Sequence, residues 1–312
     1  VRILLVVNAF ASSVTARSMV VINKAFSADH DVTLVETSRR GHATRLALGA
    51  ANEGYDVVVV MGGDGTLNEA ANGLMGTDTA LGVLPGGSTN VFARQIGLPN
   101  DPVEATGVLL DSLAAGSIRS IGLGTVDGRG FLFHTGLGFD AAVVEQVERR
   151  SSLKRYAGHP LFVYAGFATW FRHFDHSRPR MAVRLEDGRV VDDAYFTIVL
   201  NTSPYTYLGN RGLDLTPEAT LDNGLSLVAI RTMDFAKMLG LIGSAIGSGR
   251  HLRSSRHAVV AHDLAGLEVT GHGPFPYQLD GDFLGHAESL RFEHRPDSLR
   301  LAVPTNPSAE RI

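Results

Sequence analysis

Hydrophobic and polar positions along this chain change rhythm once. Through the first third, apolar runs at 2–7, 31–36, 56–61 and 80–84 end in turn residues and read as strands. The stretches between them, at about 15–28, 41–53 and 66–75, carry apolar residues at helical spacing, and further helices are expected from Val91 and over about 101–115. Val57, Val58, Val59 and Val60 follow one another with no polar alternation, as in a strand covered on both faces. Such alternation of strand and helix predicts a parallel sheet with helices on both faces. From Ile118 onward short strands dominate, punctuated by Asp127-Gly128, Asp187-Gly188, Asn223-Gly224 and Asp280-Gly281. The expected fold class is therefore α/β: a nucleotide-type α/β domain over 1–117, then a mainly antiparallel β domain over 118–297. That second domain is expected to hold helical insertions near 140–174 and 234–249. A last strand near 298–303 is expected to return to the first domain, and 306–312 reads as a tail.

The strand ends carry the candidate chemistry. After the valine run come Gly62, Gly63, Asp64, Gly65, Thr66, Leu67 and Asn68, where bare backbone and a helix N-terminus favour an anion. The next strand ends in Pro85, Gly86, Gly87, Ser88, Thr89 and Asn90, a second glycine pair followed by hydroxyl and amide side chains. Successive strands of a parallel sheet end on one edge, where ligands of α/β folds bind. Two better-known phosphate loops do not match. The dinucleotide fingerprint fails because Asn68 stands at its third glycine position, and the P-loop fails because Ser88 stands where its lysine belongs. Without that lysine, neutralising a polyphosphate falls to amides and a magnesium ion, with Asp64 as the carboxylate to hold or orient it.

Composition narrows the picture. The 312 residues are 44% hydrophobic and 19% charged, which suits a globular chain long enough for two cores. With 28 basic and 32 acidic side chains the net charge is −4, and nucleic acid is not an expected partner. Zero cysteines exclude disulfides, thiolate catalysis and cysteine metal sites, and fit a reducing cytoplasm. The strand over 2–7 is too short for a signal-peptide core. The most apolar later stretch, 228–246, is interrupted by Arg231, Asp234 and Lys237 and reads as a buried or surface helix. His262, His272 and His286 lie apart and make no metal-ligand pattern, and Asn201-Thr-Ser203 reads as a chance glycosylation match.

The pair GGDGTLNEAANGL (62–74) and LPGGSTNVFAR (84–94) resembles the diacylglycerol and sphingosine lipid kinase family, related to NAD kinase. QLDGDF (278–283) resembles the family's Asp-Gly-Glu catalytic turn, and TGLGFD (135–140) and LDNGL (221–225) resemble further family segments in the right order. The resemblance implies ATP contacts at Thr37, from Gly62 through Asn68, at Ser88 and near Asn90. It implies a catalytic base at Asp282, with Asp280 and Asp64 as further catalytic carboxylates, and an active site in the cleft between the domains. A structural magnesium would be held by Thr220, Asn223 and Leu225. The implied activity is transfer of the γ-phosphate of ATP to a lipid hydroxyl, with diacylglycerol as the favoured acceptor.

Four positions depart from the family pattern. Asp282 replaces a glutamate, Asn223 replaces an aspartate of the metal loop, Gly122 falls where relatives often carry an aspartate, and the first loop, 8–13, lacks the proline after Asn8. An NAD kinase, with Asn68-Glu69 as the shared pair, and a nucleotide-binding regulator without catalysis stay open beside the lipid kinase. The expected partner is a lipid substrate at the membrane surface, with a homodimer also open, and the expected location is cytoplasmic and peripheral to the membrane. Two segments suit a lipid surface as well as an ordinary fold role: the aromatic stretch 161–171, and the basic cluster Arg250, His251, Arg253, Arg256 and His257. Lys154, Arg155 and Tyr156 admit the same two readings.

Overall fold

Burial follows the sequence rhythm in a computed structural model that describes residues 1–149, 165–166, 168–170, 174–247 and 249–305. The chain forms two compact units, Val1–Leu123 with Pro296–Ile312, and Gly124–Arg295.

In the first unit, strands β1 (Arg2–Val7), β2 (Asp31–Glu36), β3 (Val57–Gly62) and β4 (Ala80–Pro85) alternate with helices α1 (Ala16–Phe26), α2 (His42–Asn52) and α3 (Asp64–Leu74). Short α4 (Val91–Gln95) and longer α5 (Pro102–Ala114) follow β4. The strands lie parallel in the order β2-β1-β3-β4. Every residue of β3 and β4 is buried, as the unbroken valine run implied. Because side chains alternate across a strand, Val57, Val59 and Met61 pack with Ile22 and Phe26 of α1 and Ala105 and Leu109 of α5. Val58 and Val60 are buried on the opposite face, and α2 and α3 contact β1 and β3. Each fully buried valine stabilises the fold by roughly 1.5–3 kcal/mol. The far end of the chain returns to this sheet, where Leu301 lies parallel to Leu81.

Between the units the change of rhythm at Ile118 is the start of β5 (Ile118–Val126), which runs on past Leu123. The division of the structure thus falls inside a strand six residues beyond the point where composition shifts. The second unit holds β6 (Arg129–Phe131), β7 (His134–Gly138), α6 (Phe139–Glu148), β8 (Met181–Leu185), β9 (Val190–Ala194), β10 (Phe196–Leu200), β11 (Thr206–Leu208) and β12 (Arg211–Leu213). It continues with β13 (Leu225–Ile230), helices α7 (Phe235–Ile246) and α8 (Arg250–Ser254), β14 (Ala258–Leu264) and the long hairpin β15 (Gly266–Leu279) and β16 (Asp282–Ala302). The pairings of β14-β13-β10-β7-β15-β16 are antiparallel. The first part of β15 also pairs with β8, its last three residues pair with β7, and its pairing with β16 shifts register between Thr270 and Phe275.

Strands β10 and β13 separate two cores. Val199, Leu227 and Ala229 pack with β8, β15 and β16, whereas Phe196, Ile198, Leu200, Val228 and Ile230 pack with Met238, Leu241 and Ala245 of α7. The apolar stretch 228–246, expected as one helix, is therefore the end of a two-sided strand, a four-residue link and α7. Two-sided burial makes such a strand apolar throughout, so periodicity alone does not distinguish it from a buried helix. Asp127-Gly128 and Asp280-Gly281 both take positive φ, at 48° and 83° and at 48° and 82°, the geometry of tight hairpin turns. Of the aromatic stretch 161–171 only residues 165–166 and 168–170 are described. Lys154, Arg155, Tyr156 and the tail 306–312 lie outside the described residues.

Candidate active site

In the first unit the two glycine pairs lie against each other. The amide of Gly86 donates to the carbonyl of Gly62 at 2.8 Å. A Cβ on Gly86 would stand 2.8 Å from the Gly62 nitrogen, and one on Gly87 would stand 2.9 Å from the Gly63 Cα. Close backbone approach, at ordinary φ, demands Gly86 and Gly87, while a Cβ on Gly62 would press on the Thr66 side chain at 2.8 Å. The first loop joins both motifs: Asn8 Nδ2 donates to Thr66 Oγ1 at 3.0 Å, while Ser13 donates from its amide to Gly86 O and from Oγ to Gly87 O.

Carboxylates from α3 close the neighbouring helices. Asp64 Oδ2 accepts the Val91 amide and Oδ1 the Phe92 amide, both at 3.1 Å, so Asp64 caps α4. Glu69 accepts the amides of Gly41 and Ala43 at 2.8 and 3.1 Å and does the same for α2. At the start of α3 itself stands Gly63, which has no side chain to offer and makes no side-chain cap. That helix start keeps a positive dipole end at the edge where the parallel strands stop.

Sequence-expected nucleotide residues separate accordingly. Gly63, Asp64, Gly65 and Thr66 surround the start of α3, and Ser88 is exposed on the adjacent loop. Thr37 is half-buried at the end of β2, its amide donating to Val7 O at 2.8 Å. The Leu67 side chain is buried, and its amide donates to Gly63 O within the helix. Asn68 is only 2% exposed and accepts from Asn72 within α3. Asn90 is loop architecture as well. At φ 50° its Oδ1 accepts the Gly87 amide at 2.7 Å, and its Nδ2 donates to Gly87 O and to Asn100 Oδ1.

In the second unit the Asp-Gly-Asp turn joins β15 to β16. Asp280 is buried and accepts three successive amides, from Leu132 at 2.7 Å, Phe133 at 3.0 Å and His134 at 3.1 Å. This multiple anchoring makes Asp280 the fastener of the turn. Asp282 is partly exposed at the first position of β16. The next amide, Phe283, donates to Glu148 Oε1 at 2.9 Å.

Behind the turn is a buried polar network of which the sequence quoted the ends without the connection. Gln278 Oε1 accepts the Gly281 amide at 2.8 Å, and its Nε2 donates to Asp140 Oδ2 at 2.9 Å. Tyr205 donates its hydroxyl to the other Asp140 oxygen. Burial pushes the Asp140 carboxyl above its ordinary pKa, against the lowering effect of the bonds from Tyr205 and Gln278. His134, its ring centroid 4.5 Å from that of Tyr205, is pushed down to about 3 by burial and stays neutral. Gly136 makes room, since a Cβ there would fall 1.6 Å from Asp140 Oδ2. The segment 135–140 signalled this network; Tyr205, far away in sequence, had no signal.

The loop expected to hold magnesium is tied together by its own hydrogen bonds. Asn223 directs its Nδ2, a donor, at Glu218 O at 3.2 Å, and its amide donates to the Thr220 carbonyl at 3.3 Å. Leu225 opens β13, and the preceding Gly224 amide donates to Asp263. Among the described residues no group of three or more His, Cys, Asp or Glu suited to a metal occurs. Asn201, the apparent glycosylation acceptor, is 1% exposed and donates to Leu132 O.

Two family models match the chain in succession. Residues 2–126 match the diacylglycerol kinase catalytic domain, and residues 134–303 match the YegS C-terminal NAD kinase beta sandwich-like domain. A Chromohalobacter salexigens protein named "Probable lipid kinase YegS-like" is 28% identical over 288 residues, 91% of this chain and 87% of that protein. The fold is shared with a crystal structure of a diacylglycerol kinase from Bacillus anthracis, at TM-score 0.69, 18% identity and coverage of 99% and 98%. It is also shared with an Archaeoglobus fulgidus NAD kinase in complex with ATP, at TM-score 0.54, 12% identity and coverage of 98% and 94%. With both motif-bearing segments matched in order across nearly its whole length, the chain belongs to the diacylglycerol kinase and YegS-like lipid kinase family.

Proposed function

We propose that this protein transfers the γ-phosphate of ATP to a lipid hydroxyl, with diacylglycerol as the acceptor and phosphatidic acid as the product. The observation that carries the reading is the arrangement of helix starts at one sheet edge. Glu69 and Asp64 close α2 and α4, while the start of α3 has only Gly63 at its cap. A polyphosphate fits there, on amides and a helix dipole, with the two glycine pairs keeping side chains away. Thr66 and exposed Ser88 add hydroxyl donors. Magnesium bound with ATP would neutralise phosphate charge, and Asp64, positioned by two amides, is the carboxylate to orient it.

Asp282 is assigned as the base that takes the proton of the lipid hydroxyl as that oxygen attacks the γ-phosphorus and ADP leaves. Asp280 fixes the turn on which Asp282 stands. NAD as acceptor is less well supported: of the Asn68-Glu69 pair shared with NAD kinase, Asn68 is buried within α3 and the Glu69 carboxylate caps α2.

The deciding experiment is transfer of labelled γ-phosphate from Mg-ATP to diacylglycerol, sphingosine, ceramide and monoacylglycerol in mixed micelles, with NAD as a soluble control. Label in a diacylglycerol product is expected. Label in NAD alone would overturn the reading, and nucleotide binding with no product would favour a non-catalytic regulator. Asp282→Asn should remove transfer yet leave nucleotide-dependent thermal stabilisation intact; an active variant would dismiss Asp282 as the base.

A further inference from the structure

Helix α7 departs from what an exposed helix requires. Its buried face, Met238, Leu241 and Ala245, is enough to dock it on the second unit. The outward face should then be polar. Instead Leu239 is 49% and Ile242 45% exposed, and Phe235, whose ring meets Trp170 edge-on at 5.8 Å, is 42% exposed on the same side at spacings of four and three, next to exposed Ala236, Gly240 and Gly243. Lys237 is the one charged residue within the twelve of the helix. A helix apolar on both sides is covered on both sides, and here one side faces outward.

What surrounds the helix says what covers it. Lys237, Arg250, His251 and Arg256 are exposed, and the His251 ring lies about 4 Å from where a Cβ on Gly240 would stand. Lys237, Arg256 and Arg231 act together on His257, which partial burial already holds below its ordinary pKa. Of the acidic groups in this region, Asp193 pairs with Arg231 at 2.6 Å, Glu218 lies within the field of Arg253, and Asp234, which caps α7 through the Lys237 amide, is the carboxylate beside the helix. The exposed side chains at the margin of the ridge are thus mostly cationic, in a chain whose net charge is −4. An apolar ridge edged by cations fits the acyl-headgroup boundary of a membrane bearing anionic lipids. No described helix is long and apolar enough to cross a membrane, so the contact is interfacial.

We infer that the outer face of α7, with Lys237, Arg250, His251 and Arg256 at its margins, docks the protein on an anionic phospholipid bilayer. The inference deepens the lipid kinase reading and rests on it, because a bilayer is where such an acceptor resides.

The test is co-sedimentation with vesicles of phosphatidylcholine alone and of phosphatidylcholine with phosphatidylglycerol. It compares the full chain, L239Q/I242Q and K237Q/R256Q, with the oligomeric state of each measured alongside. The full chain should bind the phosphatidylglycerol vesicles, and each double variant should bind at least about tenfold more weakly. Nucleotide-dependent thermal stabilisation and transfer to a soluble short-chain diacylglycerol should be unchanged in both. Three results would overturn the inference: no vesicle binding by the full chain, equal binding by the variants, or a full-chain dimer that L239Q/I242Q dissociates, which would assign the face to a second copy. If the full chain binds vesicles through α7 but phosphorylates no lipid, the proposed reaction fails and the docking surface stands.

Discussion

The glycine-paired edge of the first unit and the Asp-Gly-Asp turn of the second are built on opposite principles. At the edge, polar side chains turn back to cap helices and clamp a loop, and α3 starts at Gly63 with no side-chain cap. At the turn, backbone N–H groups converge on one side chain, Asp280, and a second carboxylate, Asp282, remains partly exposed. One region presents donors and suits a phosphoryl donor; the other presents an acceptor and suits proton removal.

The largest break in that comparison should be Asp280→Ala. Three buried amides would lose their partner, a cost of about 6 kcal/mol at ~2 each, read as the loss of cooperative unfolding for the second unit in chemical denaturation. Nucleotide binding by the first unit should survive better than catalysis.

Next in size is acid sensitivity, which the second unit holds in two opposed groups. The folded pKa of His134 is pushed down to about 3, so its contribution is complete above the unfolded value of 6.5 and is lost as pH falls from 6.5 towards 3. The loss reaches at most about 5 kcal/mol. Asp140 has the reverse sign. Its raised folded pKa means that stability is greatest below the unfolded value of 3.8 and declines as pH rises through the folded value. His134→Phe should flatten the acid limb of stability against pH, and Asp140→Asn should flatten the opposite slope. Unchanged profiles would show that neither group is held in its assigned form.

Smaller effects separate the two reasons for glycine. Gly86→Ala would press a Cβ on the Gly62 backbone and should cost roughly 1–3 kcal/mol together with ATP affinity. Gly281→Ala meets no atom within 4 Å but sits at φ 82°, so it should cost about 1–2 kcal/mol and leave ATP affinity unchanged. The smallest expected change is Ser88→Ala, within about 0.5 kcal/mol in stability because the side chain is exposed, yet weaker for nucleotide by isothermal titration.

Much of this was legible in sequence because it is local. The valine run, the helix after Gly63 and the Asp-Gly turns each follow from a few neighbouring residues. The roles of Asp64, Glu69, Asn90 and Asp280 were not legible, because each depends on amides 3 to 148 residues away. Acidic and amide side chains in a glycine-rich motif look like ligand contacts until the backbone they anchor is in view.

By itself the sequence determined the alternation of elements, the two strand-end motifs and their order, since propensity, periodicity and turn chemistry act over short stretches. Only the tertiary structure decided which polar groups are consumed within the fold and which face outward. It also decided that 228–246 is a strand and a helix with an apolar outer face, because burial and hydrogen-bond partnership depend on residues that meet only when the chain is packed.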